Sequence, residues 1–316
     1  MPISSLLPLL LLLNGATDMS ATDERVLRAG DTRLRVEVIG VVDRDRVEQL
    51  QRWIADTAAA PLSVSGRFPL RDAQVRIKQI DSDDDSPVPW GQTRRDDNVA
   101  VLLFVRRDAT PEQLREDWTA VHELSHLFHP YLGAEGRWLA EGLASYYQNV
   151  LRARVGLLDA EEAWRRLDGG FQRGRKALGG VPLDELGRRR GGTMRVYWAG
   201  AAYWLEADLA LRREHNSSLD AVLTDYARCC LNGTTQVAPR DFVAELDRIA
   251  GGDIFGGRYR NYAAAKEFPS LDKAYRELGI SAANGRLVFS HGDAAARLRE
   301  AITARRESDA EASAAR

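Results

Sequence analysis

The chain of 316 residues is short of the features that mark a disulfide scaffold, a membrane span or a nucleic-acid binder. Its only two cysteines, Cys229 and Cys230, are neighbours in sequence, so no disulfide framework exists. Adjacent cysteines rarely reach disulfide geometry without strain, and the context ARCCL predicts small buried residues on a helix, with a vicinal disulfide as the lesser alternative. The leucine run at residues 6–13 has eight residues and is broken by Pro8, whereas a bilayer core needs about 20 apolar residues. A formal net charge of −2 leaves no basic footprint for a nucleic acid. What remains is an ordinary globular composition, 44% hydrophobic and 28% charged, long enough for one large domain or two lobes sharing a cleft.

Residues 1–21 read as a signal peptide, with the leucine run as its core and small residues near Ala16 and Ala21 as cleavage points. Export to the periplasm or beyond is the preferred reading. The absence of Lys or Arg ahead of the run leaves open a start at Met19 and a cytoplasmic protein. From 22 to 109 the pattern predicts an α/β lobe. Residues 34–39 and 75–80 alternate apolar and polar as half-buried strands do, and the unbroken apolar run 99–105 predicts a central strand buried on both faces. Between them Val47, Leu50, Ile54 and Ala58 fall at helical spacing, with Asp43 as a cap and Pro61 just past the end. The acidic stretch 81–85 lacks calcium-loop spacing and is expected to be a solvated loop.

The chemistry concentrates in His122-Glu123-Leu124-Ser125-His126. On a helix, residues four apart share a face, so both imidazoles can reach one metal ion while Glu123 contacts its water as general base. Thr110, Pro111 and Gln113 make a capping-box start, which predicts a helix over 110–129 of about five turns. Catalytic zinc usually takes three protein ligands, and Glu141, in the amphipathic stretch 138–147 beyond a loop bounded by Gly133 and Gly136, is the best third candidate. One Zn2+ bound by His122, His126 and Glu141 is the expectation. After this pair the chain turns helical. Glycines 169, 170, 174, 179 and 180 predict a loose connection, and the arginines at 188–190 a solvated loop. Ala199, Gly200, Ala201 and Ala202 among aromatics predict a closely packed buried helix. Residues 110–280 thus form a helical lobe, and 281–316 a tail that is partly disordered.

HELSH followed by WLAEGLASYY resembles the gluzincin metallopeptidases, and within them the M61 glycyl-aminopeptidase family, relatives of the M1 aminopeptidases. The resemblance covers roughly 75–280. It implies an α+β, thermolysin-like catalytic domain: a small N-terminal β-sheet lobe with a helix, an all-helical C-terminal lobe and a zinc cleft between them. It also implies His122, His126 and Glu141 as zinc ligands and Glu123 as base. Tyr197, three residues before Gly200, matches the family's oxyanion-stabilising tyrosine, although Ala199 replaces the family's lysine and a core tyrosine is the alternative. The 14 residues between His126 and Glu141 are fewer than in the M1 relatives. Near Trp90-Gly91-Gln92-Thr93, where those relatives carry an edge strand with an amine-binding glutamate, no glutamate occurs. The implied activity is zinc-dependent hydrolysis of peptides, by an aminopeptidase. The alternatives are an endopeptidase and an inactive peptide- or protein-binding pseudopeptidase. No nucleic-acid partner or stable membrane insertion is expected, and the sequence leaves the oligomeric state open.

Overall fold

The computed structural model describes residues 24–189, 191–283 and 286–304. The signal peptide expected at 1–21 lies outside them. The first lobe is a five-stranded sheet. Strands β1 (Glu24–Ala29) and β2 (Thr32–Ile39) form a hairpin, and helix α1 (Arg44–Ser65) crosses to β3 (Asp72–Ile80). Strands β4 (Trp90–Arg95) and β5 (Val99–Arg106) complete it in the order β1-β2-β3-β5-β4. The three inner strands run parallel, and both edge strands are antiparallel to their neighbours. Leu34, Val36, Val75, Ile77, Val101 and Leu103 meet Leu50 and Ile54 of α1 in one apolar cluster.

Two expectations change in this lobe. The run 99–105 is buried on one face only: Val99, Val101, Leu103 and Val105 are covered, while Ala100, Leu102 and Phe104 are partly exposed. The strand lies fourth of five, and α1 covers only the other face. Helix α1 also continues through Pro61 to Ser65, capped by Asp43 at its start and by Gly66 in the left-handed region at its end. A proline inside a helix forfeits one backbone hydrogen bond. Here Ala60, Pro61 and Val64 are all buried, which offsets the loss.

The predicted helix over 110–129 is broken. Its capping box is present, with Thr110 and Gln113 bonded reciprocally, but α2 (Pro111–Glu116) stops at Asp117, whose backbone is extended. The Asp117 carboxylate accepts the Thr119 N–H at 2.7 Å and so starts a second helix, α3 (Thr119–Ser125). This is the competition by which Asp side chains favour helix starts over helix interiors. A single 3-10 turn, His126–Phe128, follows.

The second lobe begins with α4 (Arg137–Arg154) and α5 (Ala160–Lys176), followed by the short α6 (Leu183–Gly187) and the long α7 (Thr193–Glu214). Helices α8 (Leu219–Cys229), α9 (Pro239–Ala250), α10 (Phe255–Ala264) and α11 (Asp272–Leu278) complete its main body. Of the glycines expected to loosen a connection, Gly179 and Gly180 do lie between α5 and α6, but Gly169, Gly170 and Gly174 are inside α5. A Cβ on Gly170 would lie 2.2 Å from the Trp198 ring, and one on Gly174 2.5 Å from Phe268, so these positions let α7 and the 268 loop come close. Helix α4 crosses α7 where Gly142 meets Gly200: a Cβ on Gly200 would stand 2.0 Å from the Trp138 carbonyl oxygen. Cys229 and Cys230, expected buried, are exposed and joined as a vicinal disulfide, because α8 ends there and turns them outward.

The stretch from 281 is folded as far as residue 304. Strands β6 (Ile280–Ala283) and β7 (Arg286–Phe289) form a hairpin, and α12 (Asp293–Thr303) docks on the helical lobe. There Ile302 is fully buried and its carbonyl accepts from Arg154 Nε at 2.7 Å. One buried apolar anchor and a buried arginine hold what composition alone marks as a tail. The part of that tail from 305 to 316 lies outside the described residues. Among the described residues, no helix is long and apolar enough to cross a membrane.

Candidate metal centre

Helix α3 places His122 and His126 one turn apart, and the α4–α7 crossing brings Glu141 to them. Glu141 Oε2 lies 3.3 Å from His122 Nε2 and 3.7 Å from His126 Nε2. His122, Glu123 and His126 also offer ligand atoms within 4.8 Å of one another. All three are buried, and Glu141 is mostly so.

The rest of the hydrogen-bonding fixes which ring nitrogens face this point. His122 Nδ1 lies 2.8 Å from Gln148 Oε1, an acceptor, so Nδ1 carries the proton and Nε2 its lone pair. His126 Nδ1 lies 2.9 Å from His129 Nε2, and His129 Nδ1 lies 2.6 Å from the Pro130 carbonyl oxygen. A carbonyl only accepts, so His129 is protonated on Nδ1. Its Nε2 then accepts from His126 Nδ1, which leaves His126 Nε2 free as well. Two imidazole lone pairs and a carboxylate oxygen converging on one point form the His2Glu donor set of catalytic zinc sites. The anchoring of each outer nitrogen is the support such ligands need. The residues present therefore fit a zinc ion.

Electrostatics agree with this division of labour. Burial pushes the His126 imidazole well below its ordinary range, and burial with the Arg95 cation drives His129 down to about 3, so both are neutral. Burial opposes ionisation of Glu141, but the His122 hydrogen bond and both imidazoles overcome it and hold the carboxyl near 2. Burial also works against a charged His122, yet Glu141 and Glu123 together raise it. Glu123 is pushed up to about 6 by burial. It lies between the ligands and β4, where Thr93 Oγ1 reaches its Oε2 and its backbone carbonyl, each at 3.0 Å.

Strand β4 is fitted to this helix at three points. A Cβ on Gly91 would lie 2.7 Å from Glu123 Cγ, so only glycine lets the strand come so close. Thr93 orients Glu123. Arg95, partly buried and without a carboxylate partner among the described residues, donates to the carbonyls of His126, His129 and Gly233, which places a cation at the end of the helix that carries His122 and His126. Tyr197 of α7 stacks on His122 at 5.8 Å with planes 7° apart and lines the same cleft as Glu141. Burial and the Glu141 charge raise the phenol above its ordinary value, so it stays a proton donor.

All five residues singled out in the sequence, His122, Glu123, His126, Glu141 and Tyr197, are thus brought together. Sequence reasoning missed Thr93, Arg95, His129 and Gln148. Only His129 left a signal there, as a third histidine three residues after the motif. The arginines expected as a solvated loop include Arg188, which pairs with Glu135 at the surface. The cleft over the site has a volume of about 770 Å3. It is lined by β4, by Tyr131 to Ala134, and by Arg137, Glu141 and Tyr197.

No family model matches the chain, and no curated protein matches its sequence. Solved structures do. An aminopeptidase N family protein from Idiomarina loihiensis superposes with a TM-score of 0.61 at 16% identity, over 82% of this chain and 49% of that one. Native yeast LTA4 hydrolase superposes with a TM-score of 0.50 at 11% identity, over 78% of this chain and 40% of that one. The chain therefore spans about half the length of the structures it matches or less. At such identities the likeness is one of fold, here a mixed α+β fold.

Proposed function

We propose that the chain is a zinc-dependent metallopeptidase of the gluzincin type. The carrying observation is the pair of histidines whose tautomers are fixed so that both Nε2 lone pairs face one oxygen of Glu141, with Glu123 beside them. A zinc ion held by His122, His126 and Glu141 supplies Lewis acidity for the scissile carbonyl and acidifies its water. Glu123, with a carboxyl near 6 and its orientation set by Thr93, takes a proton from the attacking water and returns it to the leaving amine. Tyr197 donates its hydroxyl hydrogen to the developing oxyanion. The outer edge of β4 pairs with no other strand among the described residues, so an extended peptide can add there as a sixth strand across the site.

Aminopeptidase action is what the resemblance to M61 and M1 enzymes implies. A second reading within the class, cleavage that ignores the amino terminus, is favoured by one observation. Strand β4 contributes no carboxylate to hold an ammonium group, and Asp96 beside it is paired with Arg94 at 2.7 Å. Zinc stoichiometry of the purified chain, with hydrolysis of matched free and acetylated peptides, tests both. One zinc with cleavage of free peptides alone supports the aminopeptidase, and cleavage of both forms supports the endopeptidase. Zinc without hydrolysis of any peptide in a broad set supports a binding pseudopeptidase, and no zinc overturns the site.

A further inference from the structure

The cleft is lined by three arginines, Arg94, Arg95 and Arg137, and three acidic residues, Asp96, Glu123 and Glu141, but the partners are unevenly shared. Arg94 is paired with Asp96, Arg188 with Glu135, and Arg95 is spent on three backbone carbonyls. Glu123 is engaged by Thr93, and Glu141 by His122 and His126. Arg137 remains. It is half-buried, lines the cleft one helical turn before Glu141 on the same face of α4, and has no hydrogen-bond or ion-pair partner among the described residues. It lines the same cleft as Tyr197 and Glu141.

A guanidinium presents a planar fork of donors that matches a carboxylate, and a half-buried one left unmatched forfeits those bonds. Among the described residues Arg137 is therefore the cleft arginine whose guanidinium is left without a bond, open to an occupant. From this we infer that Arg137 is a specificity residue which binds a carboxylate of the peptide substrate close to the scissile bond. The carboxylate is either the C-terminus of a short peptide or an acidic side chain. The exposed rings of Trp90 and Tyr131, 59% and 49% accessible, flank the same cleft and suit the apolar parts of that peptide.

The inference rests on peptide binding at this site, and its test is separable from the test of hydrolysis. Alanine-rich hexapeptides are made as free acid or C-terminal amide, each with a single Glu or its Gln twin. They are titrated calorimetrically into the zinc-loaded Glu123→Gln chain, with and without Arg137→Gln. A charge-assisted bond of this kind is worth about tenfold or more in affinity. The expected result is that the carboxylate form binds about tenfold more tightly than its neutral twin. Arg137→Gln then removes the preference without changing the melting temperature, because Arg137 holds no structural bond. The amide series identifies a C-terminal carboxylate, and the Gln series a side chain. In the active chain Arg137→Gln raises KM for the carboxylate peptide about tenfold more than it does for the neutral twin. Equal binding of the twins, no binding of any peptide, or a preference that survives Arg137→Gln overturns the inference. Failure of the active chain to cleave any peptide tells against the peptidase reading, while the binding data still decide the role of Arg137.

Discussion

Replacing Gly200 by alanine puts one methyl group where α4 and α7 touch backbone to backbone. Helix propensity alone favours alanine by about 1 kcal/mol. The structure reverses the sign. The new Cβ would stand 2.0 Å from the Trp138 carbonyl oxygen and 2.7 Å from Gly142 Cα, against a practical limit of 3.0 Å, so the helices must part by about 1 Å. Both obstacles are backbone, and neither can rotate away. Overpacking of this sort costs about 1–3 kcal/mol, and with two backbone obstacles the upper end applies, about 3 kcal/mol, which leaves a net destabilisation of about 2 kcal/mol after the propensity gain. That corresponds to a fall in melting temperature of about 4–8 °C. The same displacement separates Glu141, beside Gly142, from Tyr197, one turn before Gly200, so zinc affinity falls as well. Gly169→Ala is the internal control: its Cβ would meet only the Arg173 guanidinium at 3.6 Å, so the propensity gain of about 1 kcal/mol is retained and that variant is stabilised. Thermal unfolding of the zinc-loaded proteins reads both signs. A Gly200→Ala chain that melts at or above the parent would refute the reasoning that this crossing sets the site.

Three further outcomes follow from the geometry. Glu123→Gln should retain zinc, because Glu123 is not among the proposed ligands, and lose about 100- to 10,000-fold in kcat; undiminished hydrolysis removes it as the base. Tyr197→Phe should lower kcat about 100- to 1,000-fold with little change in KM, since its hydroxyl acts on the developing oxyanion; a pure KM effect would make it a binding residue instead. His129→Phe fills the same buried space but offers His126 Nδ1 no acceptor, so competition with a chromogenic chelator should show zinc affinity reduced about 10- to 100-fold, and an unchanged affinity would mean that the His126 tautomer is set elsewhere.

Local rules made much of the chain legible. The capping box at Thr110, the cap at Asp43 and the alternation of 34–39 and 75–80 each depend on neighbours within a few residues, and each is present. Other features depend on what lies opposite. A glycine in sequence reads as a breaker, yet Gly170 and Gly174 are explained by Trp198 and Phe268, whose rings fill the space a Cβ would need. Asp117 breaks the helix predicted over 110–129 through a bond only 2 residues long, and the apolar periodicity on either side masked it. Arg154 and Ile302, 148 residues apart, hold a helix that composition had marked as a tail.

The parts of the candidate site were legible in chain order: the four-residue spacing of His122 and His126, the adjacent Glu123, and a glutamate and a tyrosine on later helices. Those choices follow from helix periodicity and ligand type, which are properties of short stretches. Only the packing of distant elements set which ring nitrogens face Glu141, because Gln148 and His129 fix them from outside the motif. It also set Gly91, Thr93 and Arg95 of one strand against the helix of His122, and left the Arg137 guanidinium without a bond in the cleft. Those facts are relations between surfaces far apart in the chain, and no local pattern records them.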